Sequence, residues 1–267
     1  MWFDSHCHVA ASKFDEDRDD VLCRAEQAGV DTLIAIGSGY GIAGNAAAVA
    51  LAERCANVFA AVGVHPHEAH ELDDDNRTAI RGWLAHPKVM ALGECGLDYH
   101  YMNSPRKTQL AVFREQISLA RELNLPVVIH VRGDEPNAYD ELLEIWIELG
   151  EGELSGVLHC YTGTLPFAKR AIEHGFYVSF SGIVTFKASA ALREVAAGLP
   201  LDRLMVETDA PFLAPEGHRG RRNEPAWVAR VGETLASLHE VAVDEIARTT
   251  SRNAREFFRL EAKGSQA

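Results

Sequence analysis

His6 and His8 stand two residues apart in the run Asp4-Ser-His-Cys-His8. On an extended strand, the period of two places both imidazoles on one face. Two neutral imidazoles side by side suit a divalent metal ion. A lone His-x-His serves equally well as a pair of core histidines bonded to backbone, so the pattern needs company. Gly93-Glu94, Val128-Ile129-His130, Val157-Leu158-His159 and Val206-Glu207-Thr208-Asp209 each bring a ligand-type residue to the end of a short apolar segment. A buried carboxylate or imidazole without a partner is costly in apolar surroundings. A separate structural reason would be needed at each segment end, whereas one metal site accounts for all of them. The candidate ligands are His6, His8, Glu94, His130, His159 and Asp209. The chemistry they offer is metal-assisted hydrolysis, in which a bound metal lowers the pKa of water to near neutrality.

Short apolar runs at 2–7, 31–37, 58–64, 89–94, 126–130, 155–159, 176–181 and 203–208 alternate with amphipathic stretches. In one of these, Arg106 to Leu123, residues Leu110, Phe113, Ile117 and Ala120 recur at helical spacing. Alternation of this kind implies parallel strands with helical crossovers, and eight such strands fit a closed (β/α)8 TIM barrel. An open doubly wound sheet would carry a glycine-rich phosphate loop after its first strand; here that strand ends in His6-Cys7-His8. All proposed ligands then fall at the C-terminal ends of the strands, the face on which barrels of this type do chemistry. Residues 1–260 are expected to form the single barrel and 261–267 a polar tail. Strand alternation should turn Cys7, Cys95 and Cys160 away from their ligand neighbours and toward the surrounding helices.

The 267 residues are 47% hydrophobic and carry a formal net charge of -13, which excludes a protein that coats nucleic acid with positive charge. Five cysteines without a CxxC pair argue against a disulfide scaffold and for a reducing compartment. No window approaches the roughly 20 apolar residues of a membrane span, and no basic leader precedes the first strand. A cytoplasmic protein without membrane attachment is expected. No coiled-coil pattern is apparent, so a monomer is the expectation.

The chain resembles the TatD family of metal-dependent deoxyribonucleases, within the amidohydrolase-like barrels. The matching stretches are Asp4-Ser-His-Cys-His8, Gly63-Val-His-Pro-His67, Gly93-Glu-Cys-Gly-Leu-Asp98, His159-Cys-Tyr-Thr-Gly163, Ser179-Phe-Ser-Gly182, Glu207-Thr-Asp-Ala-Pro211 and His218-Arg-Gly-Arg-Arg-Asn-Glu-Pro225. After His130 the chain reads Val131-Arg-Gly-Asp-Glu-Pro136, where the family often has Arg-Asp/Glu-Ala. The resemblance implies that His6, His8 and Asp209 bind one metal, that His130 and His159 bind a second, and that Glu94 bridges. It implies magnesium or manganese, although an imidazole-rich set favours zinc or later transition metals.

Asp209 is then the candidate general base as well as a ligand. Glu207 and Asp4 sit two residues before Asp209 and His6, and are read as orienting groups behind the ligands. The resemblance gives His65 a contact with substrate phosphate or a metal-bound water; a structural role fits the residue equally well. His67 and His70 are read as exposed. His100 and Tyr101 either line the substrate path or pack within their own loop, and Asp98 either caps that loop or orients a basic group. Arg132, Arg219, Arg221 and Arg222 lie just after strand ends, where they can hold phosphates. So few cations suit a short contact with a strand end, which favours exonuclease action on single-stranded or frayed DNA; a 3′ end is the expected point of entry, which makes 3′–5′ exonuclease the leading expectation. Asn223-Glu224-Pro225 reads as a helix cap and first turn. The other readings are hydrolysis of a small ester, amide or lactone, deacylation of an aminoacyl-tRNA, and a barrel that binds metal without catalysis. Many small-molecule amidohydrolases use a bridging carboxylated lysine, and lysine is absent from these ligand segments.

Overall fold

Runs such as Val30–Ile36 and Val58–Val62 have no polar face, so they must be covered on both sides. The computed structural model, which describes residues 1–133 and 137–260, covers them by closing a barrel. Its strands are β1 (Trp2–Cys7), β2 (Val30–Ile36), β3 (Val58–Val62), β4 (Val89–Asp98), β5 (Val127–Arg132), β6 (Gly156–Leu158), β7 (Phe176–Phe180) and β8 (Leu204–Val206). They lie in sequence order in one parallel sheet of eight. The helices are α1 (Arg18–Gln27), α2 (Gly44–Arg54), α3 (Asp74–Leu84), α4 (Arg106–Leu123), α5 (Asn137–Gly150), α6 (Leu165–Glu173), α7 (Ala190–Ala197), α8 (Val228–Leu238) and α9 (Val243–Phe257). This is the (β/α)8 barrel. No described helix is long and apolar enough to cross a membrane. The tail expected from 261, and part of the loop after His130, lie outside the described residues.

The first and last strands are joined by the segments that carry the candidate ligands. The Asp209 amide donates to the His6 carbonyl at 2.9 Å, and the His8 amide to the Ala210 carbonyl at 2.7 Å. Lower on the same seam, Ser5 Oγ donates to the Val206 carbonyl.

Alternation divides the strand residues between two cores. Leu33, Ala35, Val62, Leu92, Ile129 and Val206 pack in the layer between strands and helices. Phe3, Ile34, Ala61, Val128, Val157 and Met205 fill the barrel interior, and Phe257 and Phe258 at the end of α9 close its floor. Phe258 stacks on Phe3 with ring centroids 5.8 Å apart.

Two irregularities in this alternation create the site. Asp4 pairs with Leu33 and Cys7 with Ala35, so Ser5 and His6 together stand opposite Ile34. Gly93 pairs with Val128 and Cys95 with Ile129, so Glu94 is an added residue in β4. Each is a β-bulge, a device that re-aims a side chain beside an active site. The first corrects the simple spacing argument for Asp4. Its carboxylate does not stand behind the His6 ring. It accepts from the Thr208 amide at 2.9 Å, the Thr208 hydroxyl at 2.6 Å and, more weakly, the His6 amide at 3.4 Å. After the second bulge, pairing with β5 resumes through Gly96, Leu97 and Asp98, so β4 runs four residues beyond the expected end at 94.

Replacing fully buried Phe258 by Ala opens a hole under the barrel and is expected to cost about 3–5 kcal/mol. Urea unfolding of the two proteins measures the loss; an unchanged midpoint would mean that α9 does not close the floor.

Candidate metal centre

Glu94 lies at the middle of the mouth, almost fully buried. Its backbone is gripped by Ser38, whose hydroxyl accepts from the Glu94 amide at 2.9 Å and donates to the Glu94 carbonyl at 3.2 Å. Two residues on, the chain passes so close to β5 that a Cβ on Gly96 would lie 1.9 Å from the His130 carbonyl oxygen. With φ at +145°, Gly96 also holds a backbone shape that L side chains rarely adopt.

The two carboxylate oxygens of Glu94 face different histidines. Oε2 lies 3.6 Å from His6 Nε2 and 3.9 Å from His8 Nε2. Oε1 lies 2.8 Å from His159 Nε2, 3.1 Å from His130 Nδ1 and 3.3 Å from His65 Nε2. Asp209 Oδ1 completes the first side, 3.7 Å from His6 Nε2 and 3.5 Å from His8 Nε2. Three groups among the described residues bring donor atoms within 4.8 Å of one another: His6, His8 and Asp209; His6, Glu94 and His159; and His65, Glu94 and His130.

The far sides of the rings decide which atoms are free to coordinate. Glu207 Oε1 lies 3.2 Å from His159 Nδ1 and also accepts from the Cys160 amide. An Nδ1 proton donated there leaves His159 Nε2 as the nitrogen that faces Glu94, the one that could coordinate once its own proton is lost. Asp98 does the same for His130 from the other nitrogen, with Oδ2 3.0 Å from Nε2. That oxygen is also 2.9 Å from His67 Nε2, while Oδ1 accepts from the amides of His100 and Tyr101. Asp98 therefore both orients basic groups and caps its loop. Its own backbone is held by buried Gln109 of α4, which bonds the Asp98 amide and carbonyl.

His65 differs from these rings. Its Nδ1 accepts from the His67 amide, so the neutral ring carries its proton on Nε2 and points it at Glu94. In this tautomer His65 donates a hydrogen bond and is not arranged to coordinate. The His6 and His8 Nδ1 atoms are buried without protein partners, and their Nε2 atoms approach each other at 3.4 Å.

Asp209 lies beyond the end of β8, in a turn at φ +55°, a left-handed shape that Asp tolerates. Buried Asn223 holds this turn from both sides, its amide bonding the Thr208 and Phe212 carbonyls. Asn223 is thus a brace for the Asp209 turn, and the Pro225 turn leading into α8 follows it.

Burial disfavours charge on Glu94, but His159 and His65, with His130, outweigh it and hold its carboxyl well below the usual range. Burial likewise opposes charge on His159, yet Glu94 and Glu207 raise its pKa well above the ordinary imidazole value. His130 is also raised against its burial, by Asp98 and then Glu94. Burial, reinforced by His159, keeps His6 neutral. His65 is pushed down to about 4 by burial, partly offset by Glu94.

The remaining candidate residues are dispersed. Arg132 is exposed, and its guanidinium carbon lies 4.8 Å from the Tyr101 ring centroid. Beyond it opens a cleft of about 670 Å³, with His100, Thr162, Leu165, Leu192 and Val195 in its walls. Arg219 lies on Phe186, and Arg221 is exposed. Arg222 is turned to the Asp17 carboxylate at 2.6 Å and over Phe14, an arrangement that competes with phosphate binding. His67, expected to be exposed, is drawn against Asp98, whereas His70 turns to Ser104. Cys7 and Cys95 pack in the strand–helix core. Cys160 lies past the end of β6 at Leu158, where strand alternation no longer sets its direction, and its thiol lies 3.1 Å from Ser181 Oγ. Ser38, Tyr40 and Phe212 did not stand out in the sequence. The only cue to the first two was their place in Gly37-Ser-Gly-Tyr-Gly41 after β2.

A family model described as TatD related DNase matches residues 3–259. A Bacillus subtilis protein described as an uncharacterized metal-dependent hydrolase, YabD, is 40% identical over 260 residues, covering 97% of this chain and all of its own length. A Cronobacter turicensis protein described as the 3′-5′ ssDNA/RNA exonuclease TatD is 34% identical over 261 residues, covering 96% of this chain and 97% of that one. Among solved structures, YjjV, a TatD homolog from Escherichia coli K12, superimposes with a TM-score of 0.88 at 32% identity, covering 97% of this chain and 98% of that one.

Metal binding at the His130 and His159 nitrogens must displace protons that these raised rings hold in the metal-free protein. Apparent metal affinity is therefore expected to rise with pH through and above the ordinary imidazole range, with proton release on binding. Calorimetry in two buffers of different ionisation enthalpy reads the protons; identical heats would contradict the assignment. Glu207→Gln is expected to weaken metal binding about 10- to 100-fold, while Cys95→Ala keeps the metal stoichiometry.

Proposed function

The chain belongs to the TatD family of metal-dependent hydrolases, and from that membership and the geometry of the mouth we propose that it cleaves phosphodiester bonds of single-stranded nucleic acid stepwise from a 3′ end. The observation that carries the reading is the division of Glu94, one oxygen toward His6 and His8 and the other toward His130 and His159. One carboxylate set between two nitrogen-rich groups fits a pair of divalent cations with Glu94 as the bridge. His6, His8 and Asp209 would hold one ion, and His130 and His159 the other. The orphaned donor geometry supports this fit: buried imidazole nitrogens converge on carboxylate oxygens at distances too long for good hydrogen bonds on the His6–His8 side. Magnesium or manganese is the proposed metal, with zinc suited to the same nitrogen-rich set. When bound, such a pair supplies activated water and neutralises charge on the attacking and leaving oxygens.

The chain's own residues would then act around the phosphate. Asp209 has the most exposed side chain of the His6–His8–Asp209 group, and its carboxylate would take the proton of the attacking water. Glu207 and Asp98 would keep His159 and His130 in the tautomers that present a lone pair. His65, with its proton on Nε2, would donate to a phosphate oxygen or to the attacking water. Arg132, Arg219 and Arg221 would meet flanking phosphates, whereas Arg222 would have to leave Asp17 to do so. The name of the Cronobacter relative supports a single-stranded substrate and the 3′–5′ direction.

Purified protein with magnesium or manganese should shorten 5′-labelled single-stranded DNA or RNA one nucleotide at a time from its 3′ end. Chelation and Glu94→Ala should each abolish shortening, and metal analysis of the variant separates a lost ion from a misfolded barrel. If nucleic acid stays intact with each divalent metal while an ester or lactone is hydrolysed, the nuclease reading is wrong.

A further inference from the structure

Two exposed aromatic residues stand at the barrel mouth, Tyr101 at 54% and Phe212 at 41% exposure. They occupy equivalent places relative to the centre. Each follows a site carboxylate by three residues and is tied back to it through its amide: Tyr101 to Asp98 Oδ1 at 2.8 Å, Phe212 to the Asp209 carbonyl at 2.8 Å. Each is capped by a cation, Arg132 at 4.8 Å from the Tyr101 centroid and Lys13 Nζ at 4.7 Å from the Phe212 centroid. Neither cation has a carboxylate partner among the described residues, unlike Arg222. The pairs flank the centre on opposite sides of Glu94. The Phe212 ring lies 6.2 Å from that of His8, on the Oε2 side. The Tyr101 ring lies 5.6 Å from that of His67, which is 6.1 Å from that of His130, on the Oε1 side.

We infer that these pairs are two nucleotide subsites, one on each side of the scissile phosphate, in which the ring stacks a base and the cation holds the neighbouring phosphate. The inference rests on the nucleic-acid reading above and adds where the flanking nucleotides sit. An apolar plate beside a cation on a long side chain matches the two halves of a nucleotide, and stacking tolerates any base because every base has a π face. On the Arg132 side, the cleft of about 670 Å³ gives room for a base and its sugar. On the Lys13 side, Tyr40 stacks beside Phe212, and its hydroxyl is buried without a hydrogen-bond partner, leaving a donor for a ligand oxygen.

The test uses the metal-loaded protein and a set of single-stranded oligonucleotides, each with one abasic residue at a defined distance from the cleaved bond. Phe212→Ala and Tyr101→Ala should each lower kcat/KM on intact DNA by roughly 5- to 100-fold, with metal stoichiometry retained. Phe212→Tyr and Tyr101→Phe, which keep a ring, should restore most of the rate. An abasic residue on one side of the bond should slow the wild-type enzyme by a similar factor, yet leave the variant lacking the matching ring no slower. If the wild type cleaves and both alanine variants keep its rate and its sensitivity to abasic residues, the subsites are overturned while the nuclease reading stands. A wild type that leaves all nucleic acid intact overturns both.

Discussion

The site depends on keeping one carboxylate charged where water has been removed. Glu94 is almost fully buried, and burial alone would neutralise it. Surrounding imidazoles reverse that outcome, and the carboxylate in turn raises His130 and His159. Neither side of this exchange is stable alone: carboxylate without imidazoles takes up a proton, and imidazoles without the carboxylate lose theirs. The arrangement holds only while both oxygens of Glu94 keep their separate neighbours. The bulge in β4, the Ser38 grip and the close passage at Gly96 serve that single placement.

Around this pairing the polar contacts are layered. His159 is backed by Glu207, His130 by Asp98, Asp98 by Gln109 of α4, and the Asp209 turn by Asn223. Each backing residue is itself buried and bonded, as a polar group removed from water must be. The consequence for rigidity is direct. A ring bonded on its far side cannot flip without breaking a buried hydrogen bond, so the nitrogens that face Glu94 are fixed in place before any ligand arrives.

Much of this was legible in the residues themselves. Eight apolar runs mark the eight strands to within a few residues, because strands covered on both faces need continuous apolar sequence. The histidines and carboxylates stand out because such groups are costly at strand ends unless they are used. What the chain does not display is register. A bulge belongs to a pair of strands, so neither the displacement of Asp4 from the His6 face nor the extension of β4 to Asp98 can be read along one segment. For the same reason the partner of Arg222 is hidden: Asp17 lies in α1's leading turn, far away in sequence. Strand alternation says nothing of Cys160, because β6 ends two residues before it.

The seam between β1 and β8 has a meaning for the order of assembly. His6 and His8 leave the ribosome long before Asp209, which follows them on the far side of seven strands. Until the last strand arrives, β1 has β2 as its one neighbour in the sheet and lies open along its other edge. The backbone bonds from Asp209 to His6 and from His8 to Ala210 close that edge and complete the His6–His8–Asp209 cluster in the same event. Such a closure joins distant parts of the chain and so comes late and slowly. The cluster is therefore a keystone and not a seed: a chain interrupted before β8 has six of the eight strand junctions of the closed barrel within reach, yet lacks Asp209 and so cannot complete the cluster. Assembly of this cluster and closure of the barrel are one event.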